Sequence, residues 1–373
     1  MSRPGSLKAR VVEVIRETSD AHSLVLEPAD GDHARFGYRP GQFLTIRVPT
    51  TRPEGAARCY SLSSSPVCDE KLKVTVKRTR GGYASNWICD HVTEGDLLEV
   101  LRPAGTFVPA SLDEDLLLLA GGSGITPVMS ILKSCLRGGA GAVSLLYANR
   151  DENSVIFRDE LVALTAEYGE RLTVAHWLES VQCLPSATAL ASLTRPYADR
   201  EAFICGPGPF MDLAVQVLAD LGVPQRRINV ERFESLAIDP FAGSGVMIDS
   251  AGPGSTVEVE LEGETRTLTW PKSNKLLDVL LAAGLEAPYS CREGSCSACA
   301  CVLLEGEVTL ERNTVLDEQD LADGLVLSCQ AVPVSEHVKI TYGRVDSFPA
   351  WNPSAEREPG TGGRPVTEAV RHR

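Results

Sequence analysis

Hydrophobic and polar positions change their rhythm twice along these 373 residues. Over the first ~110 positions, short runs of alternating apolar and polar residues are separated by turn residues, as half-buried strands require. The alternation predicts strands over 8–16, 23–27, 43–48, 59–63, 71–78 and 96–100, with the Pro40-Gly41 step fixing one corner and a single helix over 83–91. Short strands at this spacing predict an antiparallel barrel. From Asp113 the rhythm becomes strand, helix, strand. Residues 116–120 are continuously apolar, as a strand buried on both faces should be. Further strands are expected over 143–147, 173–177 and 202–205, and helices over 129–136, 158–167 and 210–221. Such alternation predicts a parallel α/β sheet. After a stretch rich in Ala, Gly, Ser and Asp come two strands (257–261 and 265–270), a helix (275–283), a cysteine-rich loop and further strands to about Tyr342. The domain reading is therefore a barrel over 1–110, an α/β domain over 111–234, a linker over 235–252 and a smaller domain over 253–345. Residues 346–373, rich in Pro, Gly, Glu and Arg, are expected to be a disordered tail. No internal repeat is present.

Composition narrows the class. A hydrophobic content of 43% and a charged content of 23% are those of a globular chain. The start has no apolar segment of the kind that directs export, and the run at 116–120 is far too short to span a bilayer, so a cytoplasmic protein with no membrane span is expected. Eleven cysteines, an odd number, then argue for reduced thiols rather than a disulfide framework. A net charge of −14 argues against a nucleic-acid partner. The stretch 253–345 holds 15 Asp and Glu against 7 Lys and Arg, a net −8. That excess serves either plain solubility or an acidic docking face for a redox partner.

Four of the cysteines carry the chemistry. Cys291, Cys296, Cys299 and Cys329 form C-x4-C-x2-C with a fourth thiol thirty residues on. This spacing suits a 2Fe–2S cluster, because four thiolates must converge on two irons and only a tight loop brings three to one side. Gly294, Ser295, Ser297 and Ala298 keep that loop small, so that backbone N–H groups can point at the sulfurs. A structural zinc site is the alternative, but it ordinarily shows paired C-x2-C units, and here there is one. Cys301 is left out because the set of four is complete. Cys59, Cys68, Cys89, Cys135 and Cys183 are expected to be small buried residues.

Two further groups precede them. In Arg58-Cys59-Tyr60-Ser61 a ring, a hydroxyl and a guanidinium suit the stacking, N5 contact and phosphate of a flavin. Lys77 then leads to Gly82 and Ser85, small residues at a helix start whose free N–H groups can hold a pyrophosphate. A strand turn and a capped helix are the plainer explanations of each piece. The apolar run 116–120 ends in Gly121-Gly122-Ser123-Gly124-Ile125-Thr126-Pro127, which is not the G-x-G-x-x-G dinucleotide pattern, yet it opens a helix at a strand's C-terminal edge where such ligands bind. Cys205-Gly206-Pro207 also follows a strand and leaves room for a flat nicotinamide, with Thr126 and Cys205 on either side. In Tyr147-Ala148-Asn149-Arg150-Asp151, Arg150 suits a 2′-phosphate and Asp151 a free ribose hydroxyl, so the choice between NADPH and NADH stays open.

In this order the motifs resemble the ferredoxin–NADP⁺ reductase superfamily with a C-terminal plant-type 2Fe–2S ferredoxin domain, over about residues 7–342. Within it, Arg58 to Pro66, Gly82 to Trp87, Leu145 to Asp151, His176 to Ser180 and Cys291 to Gly294 are most similar to reductase components of 3-ketosteroid 9α-hydroxylases. Phenylacetyl-CoA epoxidase reductases are also similar. The resemblance implies an antiparallel flavin-binding barrel, a parallel nucleotide-binding α/β sheet and a β-grasp ferredoxin domain. It implies FAD, one 2Fe–2S cluster and NADH as donor, with NADPH possible. Arg58, Tyr60, Ser61, Lys77, Gly82 and Ser85 would bind FAD. Gly122, Gly124, Thr126, Cys205 and Gly206 would form the nicotinamide side, with Ser61, Thr126 and Cys205 nearest the chemistry. Electrons would leave for a terminal, Rieske-type oxygenase of steroid degradation, and the reductase would be a monomer. Other acceptors, an acyl-CoA epoxidase or a di-iron hydroxylase, and a non-catalytic electron carrier are the alternatives. Relatives of this kind often carry glycine after the second cluster cysteine, where this chain has Ser297.

Overall fold

The computed structural model describes residues 6–50, 57–233, 236, 239–241, 254–316, 318–343 and 369–372. The chain divides into two compact units, one of Leu7–Thr51 with Ala56–Ser235 and the other from Leu236 onward.

The first unit holds two sheets. Strands β1 (Ser6–Thr18), β2 (Ala21–Pro28), β3 (Phe43–Arg47), β4 (Ala57–Ser61), β5 (Leu72–Lys77) and β6 (Leu97–Leu101) run in the order β4-β3-β6-β1-β2-β5. A Leu62↔Val74 bridge returns β4 to β5 and closes the barrel. Alternation fixes the register: Leu72, Val74 and Val76 point inward, while Lys73 and Lys77 are partly exposed. Leu24, Leu26, Leu44, Ile46 and Ile88 complete that core, the last from helix α1 (Tyr83–His91).

The second sheet is built from β7 (Leu116–Gly121), α2 (Ile125–Gly138), β8 (Val143–Asn149), α3 (Arg158–Glu167), β9 (Leu172–Leu178), α4 (Glu179–Gln182), α5 (Ala187–Thr194), β10 (Glu201–Cys205), α6 (Gly208–Asp220) and β11 (Ile228–Glu231). Its parallel order is β11-β10-β7-β8-β9, so the apolar β7 lies at the centre, buried throughout. Helix α2 starts at Ile125, four residues before the expected helix. Pro127 lies in its first turn, where the missing N–H breaks no bond, so proline there opens the helix rather than delaying it. Neither α5 nor β11 is signalled by the sequence pattern. Both are short, and β11 is an edge strand that, among the described residues, pairs with β10 alone.

Barrel and sheet are tied together along α2. Ser130 Oγ donates to the Ser64 carbonyl at 2.5 Å, and the Ser65 and Ser134 hydroxyls share a bond at 2.7 Å. Lys133, buried on α2, holds Asp69 of the barrel and Glu160 of α3, both at 2.7 Å, and Lys73 reaches Glu160 at 3.1 Å. Burying an ammonium is costly, and two carboxylates offset that cost. Burial works to lower the Lys133 pKa, but the coulombic pull of Glu160 and the bond to Asp69 outweigh it and the pKa is raised.

The second unit is a mixed sheet of β12 (Gly254–Leu261), β13 (Glu264–Pro271), β14 (Ala300–Leu310), β15 (Leu325–Leu327) and β17 (His337–Thr341), ordered β13-β12-β17-β14-β15. Strand β16 (Ala331–Pro333) also pairs with β14. Helix α7 (Leu276–Ala282) buries Leu276, Leu277 and Leu280, and α8 (Glu318–Ala322) precedes β15. A parallel β12–β17 pair flanked by antiparallel neighbours, with a packed helix, is the β-grasp arrangement.

Most of the expected linker and tail lies outside the described residues. Four positions depart from the expected disorder: Ala369–His372 form β18, which pairs antiparallel with Gly306–Thr309. Backbone pairing with an open strand edge needs no apolar content, which is why composition does not reveal it. Among the described residues, no helix is long and apolar enough to cross a membrane.

Candidate functional site

Strand β4 carries three of the expected flavin residues. Ser61 is 3% exposed, on the strand that carries Arg58 and Tyr60. Tyr60 packs against the barrel core, and burial pushes its phenol pKa up. Arg58 donates to its neighbour's Ala57 carbonyl at 2.7 Å. Gly82 precedes α1, and Ser85 Oγ accepts from Thr79 N at 3.1 Å, so Ser85 closes the turn while its own proton stays available. A Cβ on Gly82 would lie 2.9 Å from the Thr79 side chain, so the tight turn requires glycine. Lys77, at the end of β5, lies near Gly122: a Cβ there would be 3.8 Å from its Nζ and meet nothing nearer. The barrel cation and the turn after β7 are thus brought together. Gly122 has φ +53°, and its open face admits a phosphate against the backbone.

Gly124 allows a close approach between two backbone turns. A Cβ on it would overlap the carbonyl group of Cys205 and stand 2.6 Å from Gly206 N. Gly206 in turn packs on the Gly121 backbone, where its Cβ would lie 3.0 Å from both Cα and N. These glycines seat the β7 turn against the β10 turn. Thr126 and Cys205 are both buried, and Thr126 Oγ1 donates to the Ser123 carbonyl at 3.1 Å. Burial raises the Cys205 thiol well above its ordinary pKa, so it is a neutral packing surface rather than a thiolate.

Sequence reasoning missed Glu231. In β11 it pairs directly with Cys205, and burial pushes its carboxyl up to about 8. A charged residue closing a short edge strand gives no periodic signal, so only the pairing reveals it.

In the second unit the loop from Cys291 to Cys299 folds around its own sulfurs. Glu293 N and Ser295 N donate to Cys291 Sγ at 3.3 and 3.4 Å, and Cys291 N donates to Cys296 Sγ at 3.3 Å. Arg292, Gly294 and Ser297 all have positive φ, which turns these N–H groups inward. A Cβ on Gly294 would lie 2.5 Å from the Arg312 carbonyl oxygen, so only glycine fits. The Ser297 hydroxyl, bonded to the Cys296 carbonyl at 2.8 Å, supports a conformation that glycine would adopt freely. Arg292 is anchored to Asp278 of α7. Gln330 Nε2 donates to the Arg292 carbonyl at 2.9 Å and to Cys329 Sγ at 3.5 Å, tying the fourth cysteine to the loop. The four thiols lie within bonding reach of one another: Cys291 contacts Cys296 and Cys329, and Cys299 contacts Cys329. The sulfur spacing and the inward N–H groups fit a cluster of two irons. Cys301 is buried behind them with its pKa raised by burial. Of the cysteines expected to be buried, Cys135 is; Cys59 and Cys89 are only partly buried, and Cys68 and Cys183 are exposed.

Three family models match in series: an oxidoreductase FAD-binding domain over residues 8–108, an oxidoreductase NAD-binding domain over 118–216 and a 2Fe-2S iron-sulfur cluster binding domain over 259–334. The chain is 56% identical over 344 residues to the ferredoxin reductase component of 3-ketosteroid-9-alpha-monooxygenase from Mycobacterium tuberculosis, covering 90% of this chain and 96% of that one. It is 33% identical to a component of the 1,2-phenylacetyl-CoA epoxidase of Escherichia coli, with 89% and 96% covered. The solved structure of phthalate dioxygenase reductase shares the fold, with a TM-score of 0.53 at 24% identity over 90% of this chain and 98% of that one. An antiparallel barrel, a parallel sheet and a β-grasp domain, matched in that order along nearly the whole length of such relatives, show that the chain belongs to the ferredoxin–NADP⁺ reductase-like family of flavin and iron–sulfur oxidoreductases, among the 3-ketosteroid-9α-monooxygenase reductase components.

Proposed function

We propose that this protein takes electrons from NADH and delivers them singly to a separate Rieske-type terminal oxygenase, that of a 3-ketosteroid 9α-hydroxylase. The observation that carries this is the set of four converging thiols with N–H groups aimed at Cys291, in a chain 56% identical to reductase components of that name. When bound, FAD exchanges two electrons with a nicotinamide and one at a time with a 2Fe–2S cluster, and the chemistry is theirs. The chain holds and orients them. Arg58 neutralises phosphate, Tyr60 offers a ring for stacking, Ser61 offers its hydroxyl, and Lys77, Gly82 and Ser85 receive the remainder of the flavin. Gly122 admits the dinucleotide, while Gly124, Thr126, Cys205 and Gly206 form a dry wall for the nicotinamide. Glu231 stands beside Cys205 as a neutral carboxyl able to hold a proton there. Cys291, Cys296, Cys299 and Cys329 hold the two irons.

The proposed partition is a flavin barrel to about residue 110, a nucleotide domain to 234, a linker to 252 and a ferredoxin domain to 345, within a cytoplasmic protein. The test is the visible spectrum of the anaerobic protein before and after one equivalent of NADH, followed by turnover with purified oxygenases. Flavin and cluster bands that both bleach, with turnover of a 3-ketosteroid oxygenase, are expected. Turnover of a phenylacetyl-CoA epoxidase instead would reassign the acceptor, and flavin bleaching without cluster absorbance would refute the electron path.

A further inference from the structure

Two cations share one carboxylate where the β1–β2 hairpin meets the C-terminal end of β8. Arg150, directly after β8, places Nη2 3.1 Å from Asp20 Oδ2, and Lys77 places Nζ 3.9 Å from the same oxygen. Asp20 is held for this task. Its other oxygen accepts from Thr18 Oγ1 at 2.8 Å, and its carbonyl accepts from Arg78 N at 2.7 Å. The next acid, Asp151, accepts from Ser154 N at 2.9 Å and from Ser154 Oγ at 2.8 Å, which fixes it in the turn. Lys77 also lies beside the open backbone of Gly122. The two cations that a coenzyme phosphate would meet at these strand ends are therefore already partnered, and by a residue of the barrel rather than of the nucleotide sheet.

On the reading above, we propose that Asp20 determines coenzyme choice: by occupying Arg150 and Lys77 it keeps a 2′-phosphate out and makes NADH the donor. Asp20, Asp151, Lys77 and Arg150 sum to zero formal charge. A 2′-phosphate brings about −1.5 to −2 more, with nothing left to balance it. Removing the Asp20 charge leaves a net positive pair facing that phosphate. At separations of roughly 6 Å and an effective dielectric of about 40, one such charge acting on that phosphate changes affinity by at least about tenfold. The free ribose of NADH has no charge to respond.

The test measures kcat/KM for NADH and NADPH, with ferricyanide as acceptor, on the full-length flavin- and cluster-loaded protein and its Asp20→Asn variant. The NADPH-to-NADH ratio is expected to rise about tenfold or more at low salt and to fall back at high salt, as screening requires. It should return to the wild-type ratio in the Asp20→Asn, Arg150→Gln double variant. Should Asp20→Asn fail to fold, Asp20→Ser keeps a short polar side chain next to Thr18 without the charge and carries the same expectation. An unchanged ratio, or an equal gain for both coenzymes, would overturn the proposal while leaving the electron-transfer reading intact. Failure of the wild type to oxidise either coenzyme would overturn both.

Discussion

Replacing Gly124 with alanine tests how closely the turns after β7 and β10 must meet. The backbone of Gly124 is ordinary αR, so the variant meets no dihedral penalty, and its effect comes from one added methyl group. That methyl would overlap the Cys205 carbonyl and stand 2.6 Å from Gly206 N, whereas ordinary contact begins near 3.4 Å. The nearest atom, the Cys205 carbonyl oxygen, would be 2.0 Å away, so the turns must separate by about 1.4 Å, and every atom in the way is backbone, so no side chain can rotate to relieve it. Overpacking of this kind costs about 1–3 kcal/mol. A displacement near 1 Å between groups that orient a reacting pair costs about 10²-fold in rate, or about 2.7 kcal/mol of barrier. Stopped-flow reduction of the flavin by NADH reads this directly. The expected result is a rate about a hundredfold lower, with cluster absorbance unchanged. Gly208 is the control: its Cβ would meet nothing within 4 Å, so Gly208→Ala should reduce at the wild-type rate. Wild-type kinetics in Gly124→Ala would refute the claim that this contact sets the nicotinamide geometry.

Glu231 supplies a pH signature. Burial raises its pKa from 4.5 to about 8, so the folded chain retains a proton that the unfolded chain loses above 4.5. Its contribution to stability is therefore greatest below pH 4.5, falls as pH rises and levels off above about 8. The fall is on the order of 2–4 kcal/mol, and the part-buried side chain favours the lower figure. Glu231→Gln should lose that decline, and urea unfolding of both proteins at pH 5 and pH 8.5 would expose the idea if the two profiles ran parallel. In the cysteine loop, Gly294→Ala brings a methyl group 2.5 Å from the Arg312 carbonyl at a positive φ. The expected outcome is loss of most cluster absorbance with full flavin content, and an intact cluster band would contradict it.

Much of this architecture is legible in the chain because its elements have strong periods. Helices α1 and α3 fall on their expected residues, and β7 announces itself by an unbroken apolar run. The cysteine spacing predicts a tight loop, and the inward N–H groups of Glu293 and Ser295 give it physical form. What the sequence hides are relations between distant segments. Nothing near Gly124 reveals that its missing side chain is filled by the Cys205 carbonyl. Nothing near Lys133 reveals the carboxylates of Asp69 and Glu160 that make its burial tolerable. Glu231 and Asp20 acquire their environments only when β11 meets β10 and when the first hairpin meets β8.

The parallel order β11-β10-β7-β8-β9 also bears on synthesis. Leu116 of β7 pairs with Glu201, 85 positions later in the chain. At roughly 5–20 residues per second, the central strand leaves the ribosome about 4–17 s before its β10 partner exists. Through that interval an entirely apolar strand has one open edge and lacks the helix α6 that covers it. Recombinant yield of this protein should therefore respond to anything that shortens or shelters that wait, such as a holding chaperone or faster codons between residues 121 and 201, and far less to changes that stabilise the finished fold.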